Sequence, residues 1–400
     1  PRDRYQSASA ALFDVEKIID LIDQGATGTE FVVGNADKRT ELIDPAFVGR
    51  DEQMVALEKG LDQALSGGHR NMMLFSQSGM GKTRLLTEIS RVAVRKGFLI
   101  LHGRSSNHAA QEPNAPWLQM IDQFAKLLSK DEQLRRDTAD RMEDYREEVI
   151  TAMPSLAAVF GWKGRQLAGP DELGQGRVIS AFRTLLTRIG SFEKSVMLTL
   201  DDCQWMDDQS LRVLADICQA DTSNLFLLGV TRPREGVSDQ IKKEINNISK
   251  LSLGPISADA VHQLAESMAG QLPDAVISVV QEYAEGSPFM AAAVLRGMVE
   301  SEVLSVDGKQ WTVDDQKLST FQAAEDAGEI LVGRLSLLPE EARTLLSAAA
   351  VIGKEFNIDM AAELAGMSTP DAAAAIKLVR RQRLVWSRPD SIVSFVHDKI

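Results

Sequence analysis

Apolar and polar positions alternate along this chain with periods that change at about residue 257. Before that point, short apolar runs alternate with helical stretches. Met72-Met73-Leu74-Phe75, Phe98-Leu99-Ile100-Leu101, Val196-Met197-Leu198-Thr199-Leu200 and Leu225-Phe226-Leu227-Leu228-Gly229-Val230 are runs of four to six residues, with Leu251-Ser252-Leu253 as a shorter one. Continuous apolar runs of strand length, separated by helices, predict strands buried on both faces in a parallel sheet. The intervening helices show the 3.6-residue period: Met54, Leu57, Leu61 and Leu65 in one, Leu85, Leu86 and Ile89 in the next, then Trp117 to Leu128. Arg177 to Ile189 forms another, with Val178, Ile179, Phe182, Leu185, Leu186 and Ile189 inward, after a loop-like Gly161 to Gly176. Asp131 to Ile150 mixes acids and bases, as a solvated helix laced with i,i+4 pairs does. After residue 257 the pattern is helical: Ala260 to Met268, Ala275 to Tyr283 and Pro288 to Val303, then a hairpin around Asp307-Gly308. Helices follow at Leu331–Leu338, Glu340–Ile352, Asp359–Ala365 and Pro370–Arg383, then two short strands, Leu384–Ser387 and Ile392–Phe395.

The first apolar run breaks into Ser76-Gln77-Ser78-Gly79-Met80-Gly81-Lys82-Thr83-Arg84 before a helix. A strand, a glycine loop and a helix start suit a polyphosphate, because backbone N–H groups must converge on it and glycines permit the required φ values. The helix dipole adds favourable charge. In this reading residues Ser76 to Arg84 wrap the phosphates, Lys82 reaches the β/γ-phosphates and Thr83 places its hydroxyl on Mg²⁺. Ser76 stands where such loops usually have their first glycine, which requires a negative φ there. The run Val196–Leu200 ends in Asp201-Asp202, and a parallel sheet delivers such acids to its C-terminal edge. Asp201 would hold the Mg²⁺, and Asp202 would orient or deprotonate an attacking water. Helix N-termini also begin with Asp, so the acids carry weight because they lie downstream of the loop. Arg232, at the end of the fourth run and before Pro233, is placed to sense a γ-phosphate and is preferred over Arg234. His102 and His108 fall in a polar loop with no carboxylate spacing around them.

Several stretches resemble known families. Phe47-Val48-Gly49-Arg50-Asp51-Glu52 ahead of the phosphate loop, and Asp201-Asp202-Cys203-Gln204-Trp205-Met206-Asp207-Asp208-Gln209-Ser210-Leu211, resemble the AAA+-like module of the signal-transduction ATPases with numerous domains, the STAND class. That resemblance implies an α/β fold: a P-loop NTPase parallel sheet with flanking helices, followed by an all-α lid and a winged-helix domain. It implies that Val48 and Gly49 line the adenine, with Arg50 as a polar contact, and that Arg232 is sensor-like. It also implies that Pro288, in Gly286-Ser287-Pro288, brings the lid towards the nucleotide. Phe395-Val396-His397-Asp398 resembles the last strand of the family's winged helix. At the other end, Pro1-Arg2-Asp3-Arg4-Tyr5-Gln6-Ser7-Ala8 and the helix after it resemble the last conserved stretch of serine/threonine protein kinases, Arg4 falling on their buried arginine. The expected domains are 1–23 (kinase tail), 24–45 (linker), 46–256 (NTPase core), 257–329 (lid with hairpin) and 330–400 (winged helix).

Composition narrows the function classes. With 400 residues, 44 % hydrophobic and 25 % charged, the chain has ordinary globular composition and room for two or three domains. Its net charge of −13 argues against a general affinity for nucleic acid or anionic membrane. Cys203 and Cys218 lack metal-ligand spacing, which points to a reducing, cytoplasmic setting, and no apolar run reaches the ~20 residues of a membrane span. The chain starts at Pro1 and stops at Ile400 inside a structured pattern, as a piece of something longer would. The expected function is an ATP-binding, slowly hydrolysing signalling switch in a larger regulatory protein, a serine/threonine kinase fused to a STAND-type ATPase. The cofactors are ATP and Mg²⁺, and the partners are nucleotide, other domains of the same polypeptide and further copies in ATP-dependent self-association. The alternative is a winged-helix DNA-binding regulator driven by an ATPase switch.

Overall fold

The computed structural model describes residues 42–105, 113–164, 172–189, 195–220, 223–233, 248–307, 310–321, 327–382, 384–387 and 392–395, together with Val15 and Ile19. The kinase-like tail apart from Val15 and Ile19, most of the linker, His108, Arg234 and His397 lie outside the described residues. The chain divides into two compact units, one comprising Arg50–Gln77 and Gly81–Gly254, the other Pro1–Gly49, Ser78–Met80 and Pro255–Ile400.

The first of these is α/β. Five parallel strands, β1 (His69–Ser76), β2 (Leu99–Arg104), β3 (Val196–Asp201), β4 (Leu225–Thr231) and β5 (Ser249–Leu253), lie in the order β2-β3-β4-β1-β5. Every residue of β3 and β4 is buried, whereas the edge strands β2 and β5 alternate. That contrast explains why the continuous apolar runs are the legible ones: a strand covered on both faces has no polar face to show. Helix α1 (Asp51–Leu65) buries Leu57, Gly60, Leu61 and Ala64, and α2 (Lys82–Arg95) buries Leu85, Leu86, Ile89 and Ala93, each a single stripe turned to the sheet.

The charged stretch after α3 (Ala115–Leu128) differs from the single solvated helix expected of it. It is α4 (Glu132–Met142), a 3₁₀ turn (Glu143–Tyr145), α5 (Arg146–Ala152) and α6 (Pro154–Phe160), and it buries Met142, Val149, Met153 and Leu156. Counting charges missed these apolar contributions, because they are spread over three short elements, none long enough to show a period. Helix α7 starts at Glu172, inside the stretch read as loop, and runs to Ile189; α8 spans Asp208–Gln219.

The second unit holds two apolar cores. The first is formed by α9 (Ala258–Ala269), α10 (Asp274–Ala284), α11 (Pro288–Glu300), the hairpin β6 (Leu304–Asp307) and β7 (Gln310–Val313), and α12 (Asp315–Phe321). Helix α11 ends at Glu300, short of the Val303 suggested by the apolar run, since Val303 and Leu304 are buried as the entry to β6. Leu42 and Val48 pack on this core, Ile43 N donates to Met268 O (3.0 Å) and Ala46 N to Ser267 Oγ (2.9 Å). The second core gathers α14 (Glu340–Ile352), α15 (Ile358–Ala365), α16 (Thr369–Arg381) and a sheet in the order β8 (Glu355–Asn357), β10 (Ile392–Phe395), β9 (Val385–Ser387). Strand β8 has three residues, too few to display alternation, and the sequence pattern did not show it.

Between the two cores runs α13 (Ala327–Ser336), which carries Arg334, 4 % exposed. Its Nε and Nη2 meet both carboxylate oxygens of Glu300 on α11 (2.7 and 3.0 Å), and Nη2 also donates to the Gln382 carbonyl that closes α16 (2.8 Å). A forked guanidinium suits this arrangement because it serves a carboxylate and a helix end at once.

Candidate functional site

Strand β1 stays extended through Ser76, which is 2 % exposed and in register with Leu253 of β5. Its hydroxyl donates to the Gln77 carbonyl (3.1 Å). The missing first glycine is thereby accounted for: the backbone turns after this position and a serine is tolerated. Gly79 and Gly81 take the positive φ values, 82° and 89°, which side chains resist. Gly81 precedes α2, no side chain caps that terminus, and the helical ladder opens with Leu85 N donating to Gly81 O (3.0 Å). Lys82 Nζ donates to the Gln77 carbonyl (2.9 Å), so the lysine folds over the loop that it follows. Thr83 is exposed, and Arg84, also exposed, pairs with Glu88 one turn on (3.1 Å).

Because all five strands are parallel, the C-terminal ends of β1, β2, β3 and β4 share one edge of the sheet. Asp201 and Asp202 lie there at the end of β3, 9 % and 7 % exposed. Asp202 has a left-handed backbone (φ 54°), and its N–H donates to Asp201 Oδ1 (2.8 Å). Arg104, the last residue of β2, sends Nε and Nη2 to Asp202 Oδ2 (both 3.1 Å). Gln204 Nε2 donates to Asp202 Oδ1 (2.9 Å), while Gln204 Oε1 accepts from the Arg232 backbone N–H (3.0 Å) just beyond β4. Both acids and Arg232 therefore belong to one hydrogen-bonded group. Burial first, and the neighbouring Asp202 charge second, push the Asp201 carboxyl above the ordinary carboxylate range, against the opposing pull of Arg104.

Arg104 and Gln204 received no role from the sequence. Arg104 lies 98 residues from its partner, so no local pattern could expose the pair. Its position is fixed from behind: Gln119 Oε1 accepts from Arg104 N (2.9 Å) and Gln119 Nε2 donates to Arg104 O (3.1 Å), while Gln123 does the same for His102 (3.0 and 2.6 Å). Two glutamines one turn apart on α3 thus occupy the outward backbone groups of edge strand β2, a means of closing an edge. The approach is close enough that a Cβ on Gly103 would lie 2.2 Å from the Pro116 carbonyl oxygen. His102 pairs across strands through Nδ1 with Thr199 Oγ1 (2.8 Å).

The rest of the Asp-Asp-x-Gln-Trp-x-Asp run is scaffolding. Asp207 caps α8, accepting from Ser210 N (2.9 Å), Ser210 Oγ (2.6 Å) and Asn114 N (3.2 Å), and the buried Trp117 donates to Ser210 O (3.1 Å).

In the other unit, Gly49 (φ 67°) sits against α9, where a Cβ would come 2.6 Å from Ala260 Cβ. Val48 is half-buried beside it on the first core. Gly286 (φ 72°) is pressed on Pro255 and Ile256, and its carbonyl accepts from Ile256 N (2.8 Å). Pro288 opens α11 at its first turn, with Ser287 as the cap. Ser287 Oγ donates to the Gly79 carbonyl (3.2 Å), and Phe289 N approaches the same oxygen (3.4 Å).

Among the described residues no group of three or more His, Cys, Asp or Glu side chains is placed to hold a metal by itself, and no helix is long and apolar enough to cross a membrane.

The chain is similar to several known proteins. The peroxide stress-activated histidine kinase mak3 of Schizosaccharomyces pombe is 24 % identical over 186 residues, 44 % of this chain and 8 % of that protein. A STAND protein with a tetratricopeptide repeat sensor from Pyrococcus horikoshii superposes with a TM-score of 0.50 at 14 % identity, covering 90 % of this chain and 42 % of its own. The Orc1 protein of Aeropyrum pernix, solved in complex with DNA, gives a TM-score of 0.41 at 16 % identity over 89 % of this chain and 91 % of its own. The chain thus spans less than half the length of the first two. The model of the AAA ATPase domain matches residues 46–229, which take in the glycine loop, the paired acids and β4 up to Gly229, and over this stretch the chain is similar to an AAA ATPase domain.

Proposed function

We propose that the chain is an ATP-dependent switch module of a larger signalling polypeptide, with ATP and Mg²⁺ as its ligands. The observation that carries this reading is the buried Asp201–Asp202 pair on the sheet edge that also carries the phosphate loop. Two adjacent carboxylates are costly to bury, and a divalent cation offsets that cost. Strands β3 and β1 are separated by β4, two strand spacings or about 10 Å, a gap of the size that a metal, its waters and a phosphate fill. The donor set fits: glycines at positive φ, a helix start without a side-chain cap, a lysine beside them and an acid held above its ordinary range. Residues Ser76 to Arg84 would take the phosphates, Thr83 and Asp201 the metal, Val48 and Gly49 the adenine, with Pro288 beside the nucleotide. Bound Mg²⁺ would neutralise charge on the phosphates.

Asp202 would orient the attacking water and accept its proton, and Arg232 would sense the γ-phosphate. Asp202 Oδ2 accepts both Arg104 bonds and Oδ1 accepts from Gln204, which leaves Oδ1 acceptor capacity for a water. Slow turnover would suit a switch whose bound nucleotide sets a population of states. The region after residue 330 is read as a winged helix, and residues 1–23 as the tail of a kinase lobe. The name of the fungal relative, a stress-activated histidine kinase, supports a signalling setting, and a cytoplasmic location is consistent with it. Self-association in the ATP state and contact with other domains of the polypeptide belong to the same reading.

The test is calorimetric titration with ATP·Mg²⁺ beside a phosphate-release assay. Lys82→Ala is expected to abolish binding, and Asp202→Asn to bind ATP but lose turnover. Unchanged affinity in the first variant sinks the nucleotide site, and parental turnover in the second sinks the role of Asp202.

A further inference from the structure

We infer that Ser287 is a positioning residue for the phosphate loop: its hydroxyl holds the Gly79–Met80 peptide in the orientation that presents the Met80 amide to a phosphate. The inference rests on the reading of Ser76–Thr83 as a nucleotide site and adds a residue 208 positions away in sequence.

A hydroxyl has one hydrogen to donate, and the Ser287 hydroxyl spends it on the Gly79 carbonyl at 3.2 Å, while its oxygen accepts from Met290 N at 3.3 Å. Phe289 N approaches the same carbonyl at 3.4 Å. In a trans peptide the carbonyl of one residue and the N–H of the next point in opposite directions. A Gly79 carbonyl held on the start of α11 therefore turns the Met80 N–H away from α11. Gly79, at φ 82°, has no side chain to restrict this plane. The donors on its carbonyl come from the cap and first turn of α11.

Ser287 is well placed to impose an orientation. It is 7 % exposed, its N–H donates to Ala284 O (2.7 Å), and Gly286 before it is wedged so closely that a Cβ would lie 2.5 Å from Pro255 Cβ and 2.7 Å from Ile256 O. The side chain thus has a fixed base and both of its hydrogen-bonding roles are filled. The sequence suggested Pro288 as the contributor from this turn. Proline has no N–H to offer, and the groups on the Gly79 carbonyl come from the residues on either side of it.

Two substitutions separate this role from simple helix capping. Ser287→Gly removes the donor yet remains an acceptable N-cap, and Ser287→Thr keeps both functions. Titration of the full chain with ATP·Mg²⁺ is expected to show about 3- to 10-fold weaker binding for Ser287→Gly, with wild-type affinity for Ser287→Thr. The melting temperature of the nucleotide-free protein is expected to be the same for all three. Wild-type affinity in Ser287→Gly overturns the inference, and so does a loss of affinity accompanied by an equal loss of thermal stability, or one that threonine does not rescue. Failure of the wild-type chain to bind ATP at all would instead overturn the nucleotide site and the inference with it.

Discussion

Arg104→Met isolates the electrostatic arrangement behind Asp202. The substitution keeps the stem of the side chain and removes the guanidinium, leaving the Asp202 carboxylate, whose side chain alone is 9 % exposed, beside a second acid, Asp201. Stripping one partner from a buried ion pair costs about 3–5 kcal/mol. Arg104 is itself 21 % exposed, so water screens part of the interaction and about 2 kcal/mol is the better figure. For a unit of this size that corresponds to a fall in melting temperature of roughly 4–8 °C. The decisive assay is a double-mutant cycle by urea and thermal unfolding. Asp202→Asn keeps an acceptor for Gln204 and carries no charge, so in the Arg104→Met background it is expected to restore most of the lost stability, giving a coupling of about 1 kcal/mol or more. A drop in melting temperature below about 1 °C for Arg104→Met, or stability losses that simply add in the double variant, would refute the argument that the arginine is there to compensate a buried charge.

Asp201 supplies a prediction with the sign set by its environment. Its folded-state carboxyl lies above the unfolded value of about 3.9, so its contribution to stability is present below that unfolded value and is lost as pH rises through the folded one. Asp201→Asn is therefore expected to melt above the wild type at pH 7, with the advantage shrinking towards pH 4, in a series of thermal melts; a variant less stable than wild type at neutral pH would contradict it. Arg334→Met breaks the bidentate pair with Glu300 and the bond to the Gln382 carbonyl, and is expected to cost about 3 kcal/mol in urea unfolding. Amide exchange should then rise in both α11 and the C-terminal end of α16, and protection unchanged in either would show that Arg334 does not tie the two cores together.

The β1–loop–α2 unit and strands β3 and β4 are legible in the residues themselves because their causes are local. A twice-covered strand is an unbroken apolar run, an amphipathic helix repeats at 3.6, and a tight loop with positive φ at Gly79 and Gly81 needs glycines there. The acids Asp201 and Asp202 could be found as the end of such a run. The short pieces between α3 and α7 were harder, since Met142, Val149 and Leu156 sit in separate elements of seven to eleven residues. No period could accumulate there. Strand β8 escaped for the same reason.

Chain chemistry alone was enough for the α/β class, the order of strands and helices around the glycine loop, and the nature of the groups that would meet a phosphate and a metal, since these depend on near neighbours. Folding added the partners of those groups. Asp202 is held by Arg104 from β2 and by Gln204, whose other end holds Arg232; Gln119 and Gln123 close the sheet edge that carries Arg104; and the Gly79 carbonyl is met by Ser287. Hydrogen bonds and ion pairs act over about 3 Å in space, with no regard to distance along the chain, so contacts spanning 98 or 208 residues leave no trace in spacing or periodicity.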